Sequence, residues 1–175
     1  MAQGTGGRSR RLTAEQLATW RAFIETSQRL RAVLGARLQS ETGLSPGDYT
    51  VLVALNEADA NRMRSSALAE HIGWQRSRLS HHLGRMERRG LIRRDECAAD
   101  SRGAEITATD EGLGTFRGAS VPHLRAVDEL FIAALTPAQF GALGEAITAL
   151  QNHLAGACDA RRPLQDGDSV SATCD

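Results

Sequence analysis

Ser65-Ser66-Ala67-Leu68-Ala69-Glu70-His71-Ile72-Gly73-Trp74-Gln75-Arg76-Ser77-Arg78-Leu79-Ser80-His81-His82-Leu83-Gly84-Arg85-Met86-Glu87-Arg88-Arg89-Gly90 reads as two helices joined by a tight turn. The serine pair offers cap hydroxyls for a short helix that Gly73 closes. A second helix is predicted from near Gln75 to Arg89, with Leu79, Leu83 and Met86 as its apolar stripe and Gly90 as its stop. A short helix, a brief turn containing glycine and a second helix make the helix-turn-helix pattern. Off the stripe stand Arg76, Ser77, Arg78, Ser80, His81, His82 and Arg85. Guanidinium forks, hydroxyls and imidazoles are the groups that reach base edges and phosphates in a major groove. A helix built only to pack would more often carry Glu–Lys pairs there.

On the C-terminal side, Leu91–Cys97 and Ala104–Thr109 are strand-like and flank the polar segment Ala98–Gly103. A hairpin behind a helix-turn-helix is a winged helix. Arg102 falls at its tip, where a guanidinium can enter a narrow, negative minor groove. On the N-terminal side, Ser45-Pro46-Gly47-Asp48 is a helix start, with a cap, proline at the first position and an acid at the third. The apolar run Tyr49–Leu55 makes that helix central, and residues 56–64 read as a polar connection.

Farther out, Thr13 and Gln16 form a capping box for a helix of about 28 residues that Gly43 ends. Asp110 is read as the cap of a helix reaching about Ala134, with a kink or break expected near 118–121 because Pro122 lies inside it. Thr136-Pro137-Ala138-Gln139 opens a last helix carrying Phe140, Leu143, Ile147, Leu150 and Leu154. These outer helices have more apolar surface than a winged helix can cover. A second copy of the chain would cover it and give two-fold symmetry for two DNA half-sites.

The composition agrees. All 21 basic residues of the 175 are arginine, balanced by 21 acids. They are unevenly placed: Asn61–Arg102 holds ten arginines and five acids, a net of +5, and the remainder nets −5. A basic block in an acidic frame suits a polyanion. Aromatic residues at 4% are too few for an RNA-stacking surface. No apolar run approaches a membrane span, the N-terminus has no apolar signal core, and a cytoplasmic location is expected. Cys97, Cys158 and Cys174 lack CxxC spacing, which disfavours a disulfide framework or a four-cysteine zinc site. Adjacent His81 and His82 point about 100° apart on a helix and cannot chelate as an i, i+4 pair does. Nothing implies a metal or cofactor. No phosphate loop, HExxH or G-x-S-x-G elbow is present, so no enzyme is predicted.

The order of elements over about residues 13–155 resembles the MarR (multiple antibiotic resistance regulator) family of winged-helix transcription factors. The motifs that carry the resemblance are Ser66–Ala69 through Arg78–Ser80, then Met86–Arg94. It continues through Asp100-Ser101-Arg102-Gly103 and Ile106–Gly112. The resemblance implies that helix 75–89 recognises DNA, that Arg102 reads the minor groove with Asp100 orienting it, and that the protein is a homodimeric repressor. It also implies release by a small aromatic or phenolic effector. Trp74, where relatives carry a smaller aliphatic residue, and Gln75, where Ser or Thr is usual, are departures.

The expected fold is therefore mainly α with a small β-wing. Residues 45–109 would form the winged helix-turn-helix, 12–44 and 110–155 the dimerisation region, and 1–11 and 156–175 disordered tails. The DNA-binding candidates are Ser65, Ser66, Gln75, Arg76, Ser77, Arg78, Ser80, His81, His82, Arg85, Asp100 and Arg102. Trp20, Phe23, Tyr49, Phe116 and His123 could line an effector pocket or serve as core. Two alternatives stay open: a winged helix that binds protein or ligand without DNA, and a redox switch through Cys97.

Overall fold

The computed structural model describes residues 11–96 and 104–159, which fall into two compact units divided after Phe131. In the first, helix α1 (Ala14–Thr42) carries the expected reciprocal capping box between Thr13 and Gln16. Helix α2 (Pro46–Glu57) is capped the same way by Ser45 and Asp48. It is the centre of the unit: Val51, Leu52 and Leu55 are fully buried.

The connection after α2 is more structured than its composition suggests. A 3-10 turn over Asp59–Asn61, with Ala60 and Asn61 both at φ 53, leads into strand β1 (Arg62–Arg64). Helices α3 (Ser65–His71) and α4 (Arg76–Arg88) follow, then strands β2 (Ile92–Glu96) and β3 (Ala104–Ala108). The sheet is antiparallel in the order β1-β3-β2, with Arg62 opposite Thr107 and Ile92 opposite Ala108. The winged hairpin was expected; the third strand was not.

Helix α5 (Asp110–Val127) corrects two expectations. Its cap is Thr109, whose hydroxyl accepts from Gly112 N–H at 2.9 Å and donates to the Gly90 carbonyl at 2.6 Å. Asp110 is already helical. The helix also runs through Pro122 unbroken; the irregularity falls later, in a π-helical turn over Asp128–Ile132. Gly112 packs against the Leu91 carbonyl so closely that a Cβ would have no room, which explains a glycine three residues after the threonine cap. Helix α5 packs along α1, and Arg37 of α1 donates to Glu129, in the π-helical turn after α5, at 2.6 Å.

The core is Leu38, Leu44, the α2 residues, Leu68, Leu79, Leu83, Met86, Leu91, Ile92 and Ile106. In the second unit, α6 (Pro137–Asp159) starts at the predicted Thr136–Gln139 cap, Gln139 N–H donating to the Thr136 hydroxyl at 3.3 Å. Among the described residues no single helix is long and apolar enough to cross a membrane.

Candidate nucleic-acid interface

Three buried residues of α4, Leu79, Leu83 and Met86, seat that helix on the core. Its tilt relative to α3 comes from a turn in which Gly73 takes φ 66 and Trp74 N–H donates to the Ala69 carbonyl at 2.9 Å. The residues off that stripe supply the outward face of the 13-residue helix. Arg76, Ser77, Arg78, Ser80, His81, Arg85 and Arg88 are all exposed. Gln75 is the N-cap but makes no side-chain cap bond.

Ser65 and Ser66 are not caps, because the N-cap of α3 is Arg64 and the serines form the first helical turn. That turn leaves backbone N–H groups without intrahelical partners. With Arg76, Ser80 and Arg94, the serines line a hollow of about 300 Å³ above Leu79, Leu83 and Ile106.

The basic block sorts into neutralised and available charges. Arg94 makes a fork onto Glu87 at 2.8 and 2.6 Å and holds that carboxyl below its usual range. Arg93 pairs with Asp95 at 2.8 Å and Arg62 with Glu105 at 3.4 Å. Arg89 is consumed by Asp48, at 2.6 Å, and by the Gly43 carbonyl, at 2.9 Å. Among the described residues, Arg76, Arg78, Arg85 and Arg88 have no acidic partner. All four lie on the exposed arc of α4. Arg88 was missed in the sequence because it sits at the helix end, beside an arginine of different fate.

His82 corrects the sequence reading. It is only 7% exposed and turned inward, where its Nε2 lies 3.0 Å from Asp48 Oδ1. Its Nδ1 meets Arg85 Nη2 at 2.8 Å. Guanidinium can only donate, so Nδ1 accepts and the ring proton belongs on Nε2, facing the carboxylate. Burial lowers the His82 pKa, the Arg85 and Arg78 charges lower it further, and Asp48 opposes them. His82 is thus a neutral structural imidazole, while exposed His81 stays on the candidate surface.

Asp48 is the hub of this arrangement. Burial raises its pKa, yet the Ser45 backbone N–H, the Arg89 guanidinium and the Ser45 hydroxyl outweigh that and hold it below 3.8. One carboxylate therefore ties the start of α2 to the middle and the C-terminal end of α4, and through Arg89 to the Gly43 carbonyl at the end of α1. Gly47 leaves space for the imidazole: a Cβ there would sit 2.7 Å from His82 Cε1.

Of the effector candidates, the structure brings three together. Tyr49 meets Phe116 at 5.4 Å and His123 at 4.7 Å between centroids, the ring planes tilted by 45° and 53°. His123 Nδ1 is buried without a hydrogen-bond partner among the described residues. Trp20 and Phe23 form a separate pair on α1, 62% and 50% exposed. Cys97, Asp100 and Arg102 lie outside the described residues.

The MarR family model matches residues 42–103. The chain is 36% identical over 102 residues to transcriptional regulator HosA of Escherichia coli O127:H6, covering 58% of this chain and 73% of that protein. AbsC, a MarR family transcriptional regulator from Streptomyces coelicolor, is 37% identical with a TM-score of 0.76, over 85% of this chain and 99% of its own. Sco3205 from the same organism, solved in complex with DNA, is 37% identical with a TM-score of 0.78, over 84% and 92%.

Proposed function

The chain belongs to the MarR family of transcriptional regulators and is not an enzyme; from that premise we propose that it is a homodimeric repressor, released from its operator by a small aromatic ligand. The observation that carries its DNA contact is the exposed arc of α4, with four arginines that have no acidic partner among the described residues, on a helix fixed by the Asp48 hub. Arg76, Arg78 and Arg85 divide between base edges and phosphates. Ser65, Ser66 and the free N–H groups of α3 hold a phosphate, Gln75, Ser77, Ser80 and His81 flank these contacts, and Arg102 enters the minor groove with Asp100 beside it. A solved relative in complex with DNA supports the mode of binding.

Homodimerisation draws support from apolar residues that each unit leaves exposed. On α1 these include Leu17, Trp20 and Phe23; on α6 they are Phe140, Ile147, Leu150 and Leu154. Residues 12–44 and 110–155 then serve dimerisation, and 45–109 serve DNA binding. For the effector, the Tyr49–Phe116–His123 cluster offers aromatic faces and one imidazole nitrogen, without a hydrogen-bond partner among the described residues, to a phenolic hydroxyl.

The experiment is a titration with duplexes from the gene's own upstream region across a salt series. The expected result is selective binding to a pseudo-palindrome with half-sites about one helical turn apart, and log K falling by about 0.9 per phosphate contact against log salt. Binding no tighter than to random duplex, or without salt dependence, would overturn the reading.

A further inference from the structure

Trp74 stands half-buried in the turn between α3 and α4, and its indole meets two side chains of α4. Arg78 Cζ lies over the ring, 4.3 Å from its centroid. The ring of His82 meets it edge-on, with centroids 5.2 Å apart and planes at 87°. His82 in turn accepts from Arg85 and rests on Asp48. Positions 78, 82 and 85 are spaced by four and three, so they neighbour one another along α4, and Trp74 meets the first two from the turn that precedes the helix. Two of the four available arginines are therefore anchored to one aromatic pair, Arg78 by lying over the indole and Arg85 through a single nitrogen.

This anchoring leaves the hydrogen-bonding edges open. A guanidinium stacks with its face and donates in its plane, so Arg78 can stay on Trp74 and still present its fork to a base. Among the described residues Arg78 makes no hydrogen bond or ion pair. Arg85 keeps N–H groups beyond the one spent on His82. Long side chains normally lose rotamer freedom on binding, worth a factor of about 2–10 in affinity for each one immobilised. Side chains already held lose less.

We propose that Trp74 and His82 are positioning residues of the DNA interface, presetting the guanidinium groups of Arg78 and Arg85 and so setting how strongly this protein selects its operator. The proposal rests on the reading of α4 as the DNA-reading helix.

The test uses the full-length protein and a duplex enriched by the wild type from a randomised pool, beside a scrambled duplex of equal length. Dissociation constants are measured for wild type, Trp74→Leu, Trp74→Phe, Arg78→Ala and the Trp74→Leu/Arg78→Ala double variant. Trp74→Leu should weaken the enriched duplex about 2–10-fold and leave the scrambled one unchanged. Trp74→Phe should recover part of the loss, and the double variant should bind no worse than Arg78→Ala alone. Equal weakening on both duplexes, losses that multiply in the double variant, or no effect of Trp74→Leu would each overturn the proposal while the DNA reading stands. If Trp74→Leu fails to fold, the same cycle run with Trp74→Phe decides, because a benzene ring binds the cation less strongly than indole. A wild type that enriches no duplex would overturn the DNA reading and this proposal with it.

Discussion

Helices α1 and α4 are opposites in how they are specified. Helix α1 has 29 residues, a complete capping box and one buried side chain, Leu38. Helix α4 has 13 residues, no side-chain cap bond and four buried side chains, Leu79, His82, Leu83 and Met86. The first holds its conformation largely through local chemistry and leaves Leu17, Trp20, Phe23 and Val33 exposed. The second is held almost wholly by what it packs against. A reading helix must sit at one angle, and tertiary contacts fix an angle where a cap fixes only a start.

Matched truncations on the two helices test that contrast most strongly. Leu83, 2% exposed, sits among full neighbours, so Leu83→Ala should destabilise the first unit by about 3–4 kcal/mol in denaturant unfolding. Leu17, 45% exposed, should cost less than about 0.5 kcal/mol under the same change. Equal costs would mean that α1 is as tightly packed in solution as α4, as a persistent dimer would make it. Repeating the Leu17→Ala measurement at several protein concentrations separates those cases.

The hub under α4 comes next. Asp48→Ala leaves Arg89 and His82 facing a lost carboxylate and removes a cap. The expected cost is about 2–3 kcal/mol, below the range for a fully buried pair because the Arg89 side chain is 45% exposed. The loss should be accompanied by weakened selectivity for DNA, whereas Leu17→Ala should leave selectivity intact. Retained selectivity at reduced stability would show that the hub supports the fold without setting the angle of α4.

The same hub predicts a pH dependence of known sign. The folded pKa of His82 lies below its ordinary 6.5. Between those two values the unfolded chain binds the proton more readily, so this contribution to stability is complete above pH 6.5 and is lost as pH falls toward the folded value. Asp48, held below 3.8, adds a second loss that sets in only as pH falls below that figure. Urea unfolding from pH 7 to pH 5 should show falling stability in wild type and a flatter profile in His82→Gln. An unchanged slope in the variant would place the titration elsewhere.

What the sequence made legible follows the same division. Thr13 with Gln16, Ser45 with Asp48 and Thr136 with Gln139 are partners three residues apart, and a reader of the chain sees both members at once. The stripe of α4 was equally plain. Strand β1 was not: Arg-Met-Arg has no strand signature, and its partner Thr107-Ile106-Glu105 lies more than forty residues away. The inward turn of His82 was hidden for the same reason. On an isolated helix it sits beside His81 with equal claim to solvent, and only Asp48, from another helix, decides between them. Among the arginines, likewise, nothing in the local sequence separates Arg88 from Arg89.

The smallest expected effect bears on the caps themselves. Thr13→Ala removes the hydroxyl that accepts from Gln16 N–H at 3.1 Å and leaves only the reciprocal bond, in which the backbone N–H at position 13 donates to Gln16 Oε1. Such caps contribute about 1 kcal/mol, and the first turn of α1 has no buried residue to compensate. Amide exchange should therefore accelerate over the first two turns of α1 and stay unchanged in α4. The counterpart is Gln75→Ala, which removes no side-chain cap bond and should change neither stability nor exchange at the start of α4 measurably. A Gln75→Ala loss comparable to that of Thr13→Ala would show that α4 depends on a local start after all, and the contrast between the helices would collapse to one of length.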